Sequence, residues 1–465
     1  MSHVDLVDDV REVGTAVLEA LVAHVESVRA GSGEVVSAAD IDTVSKRLEL
    51  RRWVEEGGMT LPELVSFVTT YSDISASHHH PGYMGHQIAP SDTPGVVADL
   101  LQAVTNNIPL VYELAPAAAA VDRSVCRWML DHVGWGETGL GAITNGGTLG
   151  NLTALLAARS HADATAWQRG TPGDLVILAP ATSHYSVRKA AAVMGLGVNG
   201  VYPLRTDALG RIDPAGLAPA LADVRAQGLR PVALVANGCA TGTGLYDPIA
   251  EVAQFCEANG LWLHMDGAHG AAALLSPRLR GLLAGLERAD STVWDGHKML
   301  RTSALCTGVL FREKRYLDTM FKQDASYLYR PEAEDVDPGQ YTFETSKAPL
   351  GLKILLTLAY RGEASLRSYV ERQYGLATEL WELIQERSDF TAPYRPQSNI
   401  LCFRYEPCGD RQLELRARLI QDGRFYLSSF QLGGRPYLRA SLMSPTTDRQ
   451  TLHELLEVIT KVAAV

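Results

Sequence analysis

The stretch ADSTVWDGHKML (289–300) decides how this chain reads as a fold. Residues 291–294 form a short apolar run without helical spacing, which suits a buried strand, and Lys298 follows it directly. Runs of the same kind stand at 175–179, 198–204, 232–236, 261–265 and 304–311, with helical stretches separating several of them. Two helices open with Asp213-Pro214 and Asp247-Pro248, where Asp can cap orphan amides and Pro suits the first turn. Gly228 and Gly260 follow those helices as stops, the usual place for a left-handed glycine. Strands alternating with helices predict an α/β fold with a mostly parallel sheet covered on both faces. The site of such a sheet lies beyond the carboxyl ends of its strands.

On the N-terminal side, residues 1 to 75 read as helix, with Val13, Val17, Leu18, Leu21, Val22 and Val25 at helical spacing and Gly31 and Gly33 as stops. A second helical piece covers 61–71, and the His/Pro/Gly-rich segment 77–92 reads as loop. On the C-terminal side, a helix precedes strands at 400–404, 425–430 and 437–442 and a last helix at 447–463, a small α+β pattern. The expected division is a helical segment at 1–75, a large α/β domain at 76–350 and a small α+β domain at 351–465.

Composition narrows the class. The 465 residues carry 42 Lys+Arg and 53 Asp+Glu, a net charge of −11, which argues against a dedicated nucleic-acid binder or a partner of anionic membrane. Six cysteines form no CxxC, so neither a zinc knuckle nor a redox pair is suggested, and a reducing compartment fits. The start MSHVDLVDDVREV lacks a basic segment followed by an apolar one, and no apolar run nears the about 18 residues of a membrane span. The expectation is a soluble, cytoplasmic protein of enzyme size.

Three places could carry chemistry. In TNGGTLGNLTALLAAR (144–159), Gly146 and Gly147 precede Thr148 and an Ala/Leu-rich helix. Unobstructed amides at a helix start bind phosphate, and Thr148 adds a hydroxyl donor; an ordinary turn is the plain alternative. No Lys follows the last glycine, so this is not a Walker loop. Gly195-x-Gly197-x-x-Gly200 fits a dinucleotide pattern but ends a helix and precedes a strand, and so reads as a turn. In HMDGAHGAAALLSP (264–277), Asp266 ends a buried run where a carboxylate needs a partner, and Gly267, Ala268 and Gly270 leave room for a flat ligand. Either His264, Asp266, His269 and His297 ligate a metal, or Asp266 pairs with a protonated ring nitrogen, or it is a structural carboxylate. Lys298 is the third place. Most lysines are solvated, but desolvation at a strand end would lower its pKa and free an amine suited to a Schiff base. A phosphate cradle, an acid for a pyridinium nitrogen and an amine for an aldehyde together point to pyridoxal 5′-phosphate.

From about residue 75 onward the chain resembles the group II pyridoxal-phosphate decarboxylases, which hold aromatic-amino-acid, glutamate and diaminobutyrate decarboxylases. GLERADSTVWDGHKML (285–300), with DGAHGAAALLSP (266–277) before it, is most similar to the bacterial L-2,4-diaminobutyrate decarboxylase branch. The resemblance implies a fold-type I, aspartate-aminotransferase-like α/β enzyme with a seven-stranded sheet. It implies a carboxy-lyase of amino-acid metabolism that releases CO₂ and an amine from an L-amino acid through a Lys298 aldimine. It also implies a homodimer clasped by the N-terminal helices, with sites at the interface. NNIPLVYELAP (106–116) matches a family stretch near that interface.

Carried over residue by residue, the resemblance makes His297 a contact beside Lys298. Asp266 would hold the ring nitrogen protonated, Ala268 would pack on one ring face and His184 would stack on the other. Gly147, Thr148 and Ser186 would lie at the phosphate. In NGCATGTGLYDP (237–248), Cys239 and Ala240 stand where Gly and Thr are usual, which leaves Thr241 as the candidate for the ring hydroxyl. FKQDASYLY (321–329) matches a catalytic loop in which Tyr327 protonates Cα. Tyr83, His86 and Gln87 belong to the substrate-side stretch HPGYMGHQIAPSDTP (80–94), and Arg439 corresponds to an arginine that meets a substrate carboxylate. The alternatives are a pyridoxal-phosphate carbon–carbon lyase, a decarboxylation-coupled oxidative deaminase and, more remotely, a metal-dependent hydrolase.

Overall fold

The computed structural model describes residues 6–317, 320–321 and 337–464. The described chain divides into two compact units: Gln87–Gly375 with Pro396–Ile400, and residues up to His86 with Leu376–Arg395 and Leu401–Val465. The helical segment expected at 1–75 thus falls in one unit with most of the C-terminal segment.

In chain order the strands are β1 (Tyr83–Met84), β2 (Leu140–Thr144), β3 (Leu175–Pro180), β4 (Val201–Leu204), β5 (Arg230–Asn237), β6 (Leu263–Asp266), β7 (Ser291–Asp295), β8 (Thr307–Phe311), β9 (Phe390–Thr391), β10 (Ile400–Tyr405), β11 (Tyr426–Leu432) and β12 (Arg435–Ser441). The larger unit holds a seven-stranded sheet in the order β2-β8-β7-β6-β5-β3-β4. β8 runs antiparallel to β2 and β7, and the remaining pairings are parallel. β3, β6, β7 and β8 are buried along their whole length, as a sheet covered on both faces requires.

This topology gathers chemistry at one edge. Asn237, Asp266 and Asp295 are the last residues of β5, β6 and β7. Because β8 is antiparallel, its first residue, Thr307, meets the ends of both neighbours, in register with Asp295 on one side and Thr144 on the other. After Thr144 the chain turns into helix Gly147–Ala162 through Gly146, whose φ of 91° favours glycine.

In the smaller unit the sheet order is β1-β11-β12-β10-β9. β11 and β12 form a hairpin closed by Gly433 and Gly434, with φ of 56° and 76°, the positive angles a two-residue turn needs. β1 adds parallel to β11, Tyr83 opposite Tyr426. The segment 77–92 was expected to be loop throughout; its two strand residues take their conformation from this edge partner rather than from a local pattern. Helix Leu61–Ile74 starts with a reciprocal capping box between Thr60 and Glu63.

Local signals failed elsewhere too. β2 carries no extended apolar run, and helices Thr93–Thr105 and Pro116–Val133 were not expected. Asp247 does not cap helix Ile249–Asn259; its carboxylate accepts from the Asn237 and Ile212 amides and from Asn237 Nδ2. Asp213 does accept from the Ala215 amide, but at a 3-10 turn ahead of helix Leu217–Ala226.

Candidate active site

At the strand-end edge of the larger unit lies a cavity of about 330 Å³, within the size range of small-molecule sites. Gly147, Thr148, His184, Thr241, Asp266, Ala268, His297 and Lys298 all line it. Asn145, Asn151, Cys239 and Asp295 line it too. Ser186 does not: its fully buried hydroxyl lies 2.9 Å from Asn151 Nδ2 and 2.8 Å from His184 Nδ1.

Lys298 Nζ lies 2.9 Å from Asp295 Oδ2, with its side chain 20% exposed against 1% for the aspartate. Thr307 Oγ1 donates to Asp295 Oδ1 at 2.6 Å, and His297 Nε2 stands 3.6 Å from Oδ2. Burial works against the Asp295 charge, but Lys298, His297 and Thr307 outweigh it and hold the carboxyl below its ordinary value. Burial likewise works against the Lys298 ammonium, but Asp295 and Asp266 outweigh it and hold the amine above its ordinary value. The expected free amine is therefore corrected: two carboxylates, one absent from the sequence reading, reverse the effect of desolvation.

Asp266 Oδ1 accepts from the Ala268 amide at 3.2 Å and Oδ2 from Asn151 Nδ2 at 2.9 Å. His184 sits beside the cavity, its pKa lowered by burial against the pull of Asp266. A Cβ on Gly147 would meet the Asp295 oxygens at 3.1 and 3.2 Å, so glycine keeps this part of the cradle open. An amine, a hydrogen-bonded carboxylate across from it, a ring to stack and a glycine-lined helix start fit the donor set that pyridoxal 5′-phosphate requires.

The metal reading finds no support in this geometry. His264 is bonded to Asn151 and Ser291, His269 to Asn399, and His297 to the Cys306 backbone. Among the described residues no three His, Cys, Asp or Glu side chains are grouped to hold an ion.

Tyr83, His86 and Arg439 belong to the smaller unit and form a cluster there. The Tyr83 and Tyr426 ring centroids are 5.8 Å apart, and His86 Nε2 lies 3.0 Å from the Tyr426 hydroxyl. Arg439 donates to Gly85 O at 3.1 Å and to Ser428 Oγ at 2.9 Å. Gln87 opens the larger unit, and Tyr327 lies outside the described residues. Asn151, Asp295 and Thr307 were missed by the sequence reading. Asp295 carried the same strand-end signal as Asp266, and Asn151 is a lone amide on the buried face of an Ala/Leu-rich helix.

The family described as "Pyridoxal-dependent decarboxylase conserved domain" matches residues 64–406. The mouse (Mus musculus) acidic amino acid decarboxylase GADL1 is 30% identical over 434 residues, covering 89% of this chain and 78% of that protein. An aromatic-L-amino-acid decarboxylase of Bacillus atrophaeus is 26% identical over 469 residues, covering 98% and 95%. The solved structure of Oryza sativa TDC with PLP and tryptamine superposes with a TM-score of 0.91 at 22% identity, covering 100% of this chain and 99% of that one. Among the described residues no helix is long and apolar enough to cross a membrane.

Proposed function

Because the chain belongs to the pyridoxal-dependent decarboxylase family and is a pyridoxal-phosphate-dependent amino-acid carboxy-lyase, we propose that Lys298 is the residue that binds the cofactor and that the cavity around it is where an L-amino acid loses CO₂. The observation that carries this reading is the meeting of Lys298, Asp266, His184 and the Gly147 helix start in one cavity.

Pyridoxal 5′-phosphate, when bound, supplies an electron sink for the pair left on Cα as CO₂ departs. The protein's own residues do the rest. The amides after Gly146 and the Thr148 hydroxyl would hold the phosphate. Asp266, kept in place by Ala268 and Asn151, would hold the ring nitrogen in its protonated form. Ala268 and His184 would bracket the ring, and Thr241 would serve the ring hydroxyl. Asp295, 2.9 Å from Nζ, would keep the Lys298 amine protonated and aimed. Tyr327 would deliver the proton to Cα.

Within the family we place the chain nearest the diaminobutyrate-type branch, on the run 285–300. We read the protein as a cytoplasmic homodimer. Helix Thr93–Thr105 leaves Val96, Val97, Leu100, Leu101 and Val104 exposed, a surface that suits a second copy, and Cys126, Cys256, Cys306 and Cys408 carry free thiols.

The test is a panel of diaminobutyrate, glutamate, aspartate and aromatic amino acids, with CO₂ and amine measured in one assay. One-to-one CO₂ and amine from a member of the panel, lost in Lys298→Ala, is the expected result. Product without CO₂ would favour a carbon–carbon lyase, and CO₂ with aldehyde and peroxide an oxidative deaminase.

A further inference from the structure

From the interior of the sheet to the cavity wall runs a line of hydrogen bonds whose direction is fixed at both ends. The Trp262 indole can only donate, and its Nε1 lies 2.9 Å from Ser291 Oγ. Ser291 Oγ is 2.9 Å from His264 Nδ1, and His264 Nε2 is 3.0 Å from Asn151 Oδ1. Asn151 Nδ2 is 2.9 Å from both Asp266 Oδ2 and Ser186 Oγ. Ser186 Oγ is 2.8 Å from His184 Nδ1, which also takes the Ser186 amide at 3.3 Å.

The topology assembles this line. His264 and Asp266 are two apart on β6 and so share one face of the sheet. Ser291 on β7 is in register with His264, and Asn151 comes from the buried side of helix Gly147–Ala162. Trp262, Ser291, His264, Asn151 and Ser186 are all buried, so water does not compete for these bonds.

The donors and acceptors form one consistent arrangement. Asp266 accepts from the Ala268 amide and from the Asn151 NH₂, so the Asn151 oxygen faces His264. His264 therefore carries its proton on Nε2. In the neutral His264 that burial favours, Nδ1 is then the acceptor, so Ser291, which accepts from Trp262, gives its own hydrogen to Nδ1. The second Asn151 hydrogen goes to Ser186 Oγ, whose hydrogen passes on to His184 Nδ1, leaving the His184 proton on Nε2.

We infer that Asn151 is a positioning residue that orients both cofactor-facing groups, holding Asp266 as an acceptor and fixing the tautomer of His184, and that His264, Ser291 and Trp262 fix Asn151 in turn. The part played by Asp266 and His184 toward the cofactor rests on the proposed function; the tautomer does not.

The experiment uses the full chain with ¹⁵N-histidine and compares wild type, Asn151→Leu, His264→Leu and His264→Gln, whose side-chain N–H can still donate to Asn151. The readouts are the His184 ring-nitrogen shifts, identified with His184→Gln, and the dissociation constant for pyridoxal 5′-phosphate from its visible absorbance. The expected result is a wild-type His184 protonated on Nε2, and in both leucine variants a mixture of tautomers. Pyridoxal-phosphate affinity should fall about tenfold or more in them, as for a lost bond to a charged group, and His264→Gln should restore both readouts toward wild type. Leucine variants with wild-type tautomer and affinity would overturn the inference. Absence of any visible band in the wild type would overturn the proposed function instead, and the tautomer would still decide this one. Should the leucine variants not fold, His264→Gln decides alone: a His184 kept on Nε2 supports the relay, and one protonated on Nδ1 overturns it.

Discussion

The ammonium of Lys298 lies 2.9 Å from a carboxylate oxygen of Asp295 that is almost wholly removed from solvent. The lysine is held above its ordinary value and the aspartate below its own. The lysine's share of the stabilisation is present below its unfolded pKa and lost as pH rises through the raised one. The aspartate's share is present above its unfolded pKa and lost as pH falls through the lowered one. The pair is therefore intact across the neutral range. In Asp295→Asn, burial acts on Lys298 with only the weaker pulls of Asp266 and Cys239 opposing it, so the pH midpoint for acetylation of Lys298 in cofactor-free protein should move down. Peptide mass spectrometry after competitive labelling reads this, and an unmoved midpoint would contradict it.

Gly147 should not tolerate a side chain. The added Cβ of Gly147→Ala would stand 3.1 Å from one Asp295 oxygen and 3.5 Å from the Ala268 Cβ. Crowding of this kind costs about 1–3 kcal/mol of stability, and shifting Asp295 and Ala268 to relieve it should weaken pyridoxal 5′-phosphate binding as well. Absorbance titration measures it; equal affinity would show that this part of the cradle does not touch the cofactor.

His264 should govern part of the acid sensitivity. Burial pushes its pKa down to about 4. As pH falls below its ordinary value, the unfolded chain binds a proton there that the folded chain does not, so stability is lost between about pH 6.5 and 4. Asp122 and Asp247, raised by burial to about 6, work in the opposite sense, contributing stability that is lost as pH rises through about 6. His264→Gln should flatten the loss over that window by up to about 3 kcal/mol. Urea unfolding at several pH values tests this, and a slope equal to wild type would refute it.

Tyr327→Phe should divert the reaction in air. Without a proton for Cα, the carbon is open to oxygen, and one amino acid, one O₂ and one water give aldehyde, CO₂, ammonia and hydrogen peroxide. Coupled assays for peroxide and amine should show peroxide rising as amine falls. An unchanged amine yield would remove Tyr327 from that role.

The strands at 175–180, 230–237, 263–266 and 291–295 were legible because a buried parallel strand writes itself as an apolar run. That Asp266 and Lys298 stand at strand ends beside one cavity was legible, because charged groups at the ends of such runs are conspicuous. β1 and β2 were not, since a two-residue strand and a five-residue strand with a glycine exist only through their partners. Asn151 was hidden for a similar reason: its meaning comes from the register that sets His264 opposite Ser291 and points both toward one helix. The Lys298 pKa was misjudged in direction because desolvation can be read from a sequence pattern, whereas the second carboxylate that reverses it cannot.

The most direct test of the central claim is borohydride reduction of the protein loaded with pyridoxal 5′-phosphate, followed by peptide mass mapping. The account predicts one pyridoxyl group per chain, on the peptide containing Lys298, and none in Lys298→Ala. A label on another lysine, with Lys298 unmodified in active enzyme, would contradict it.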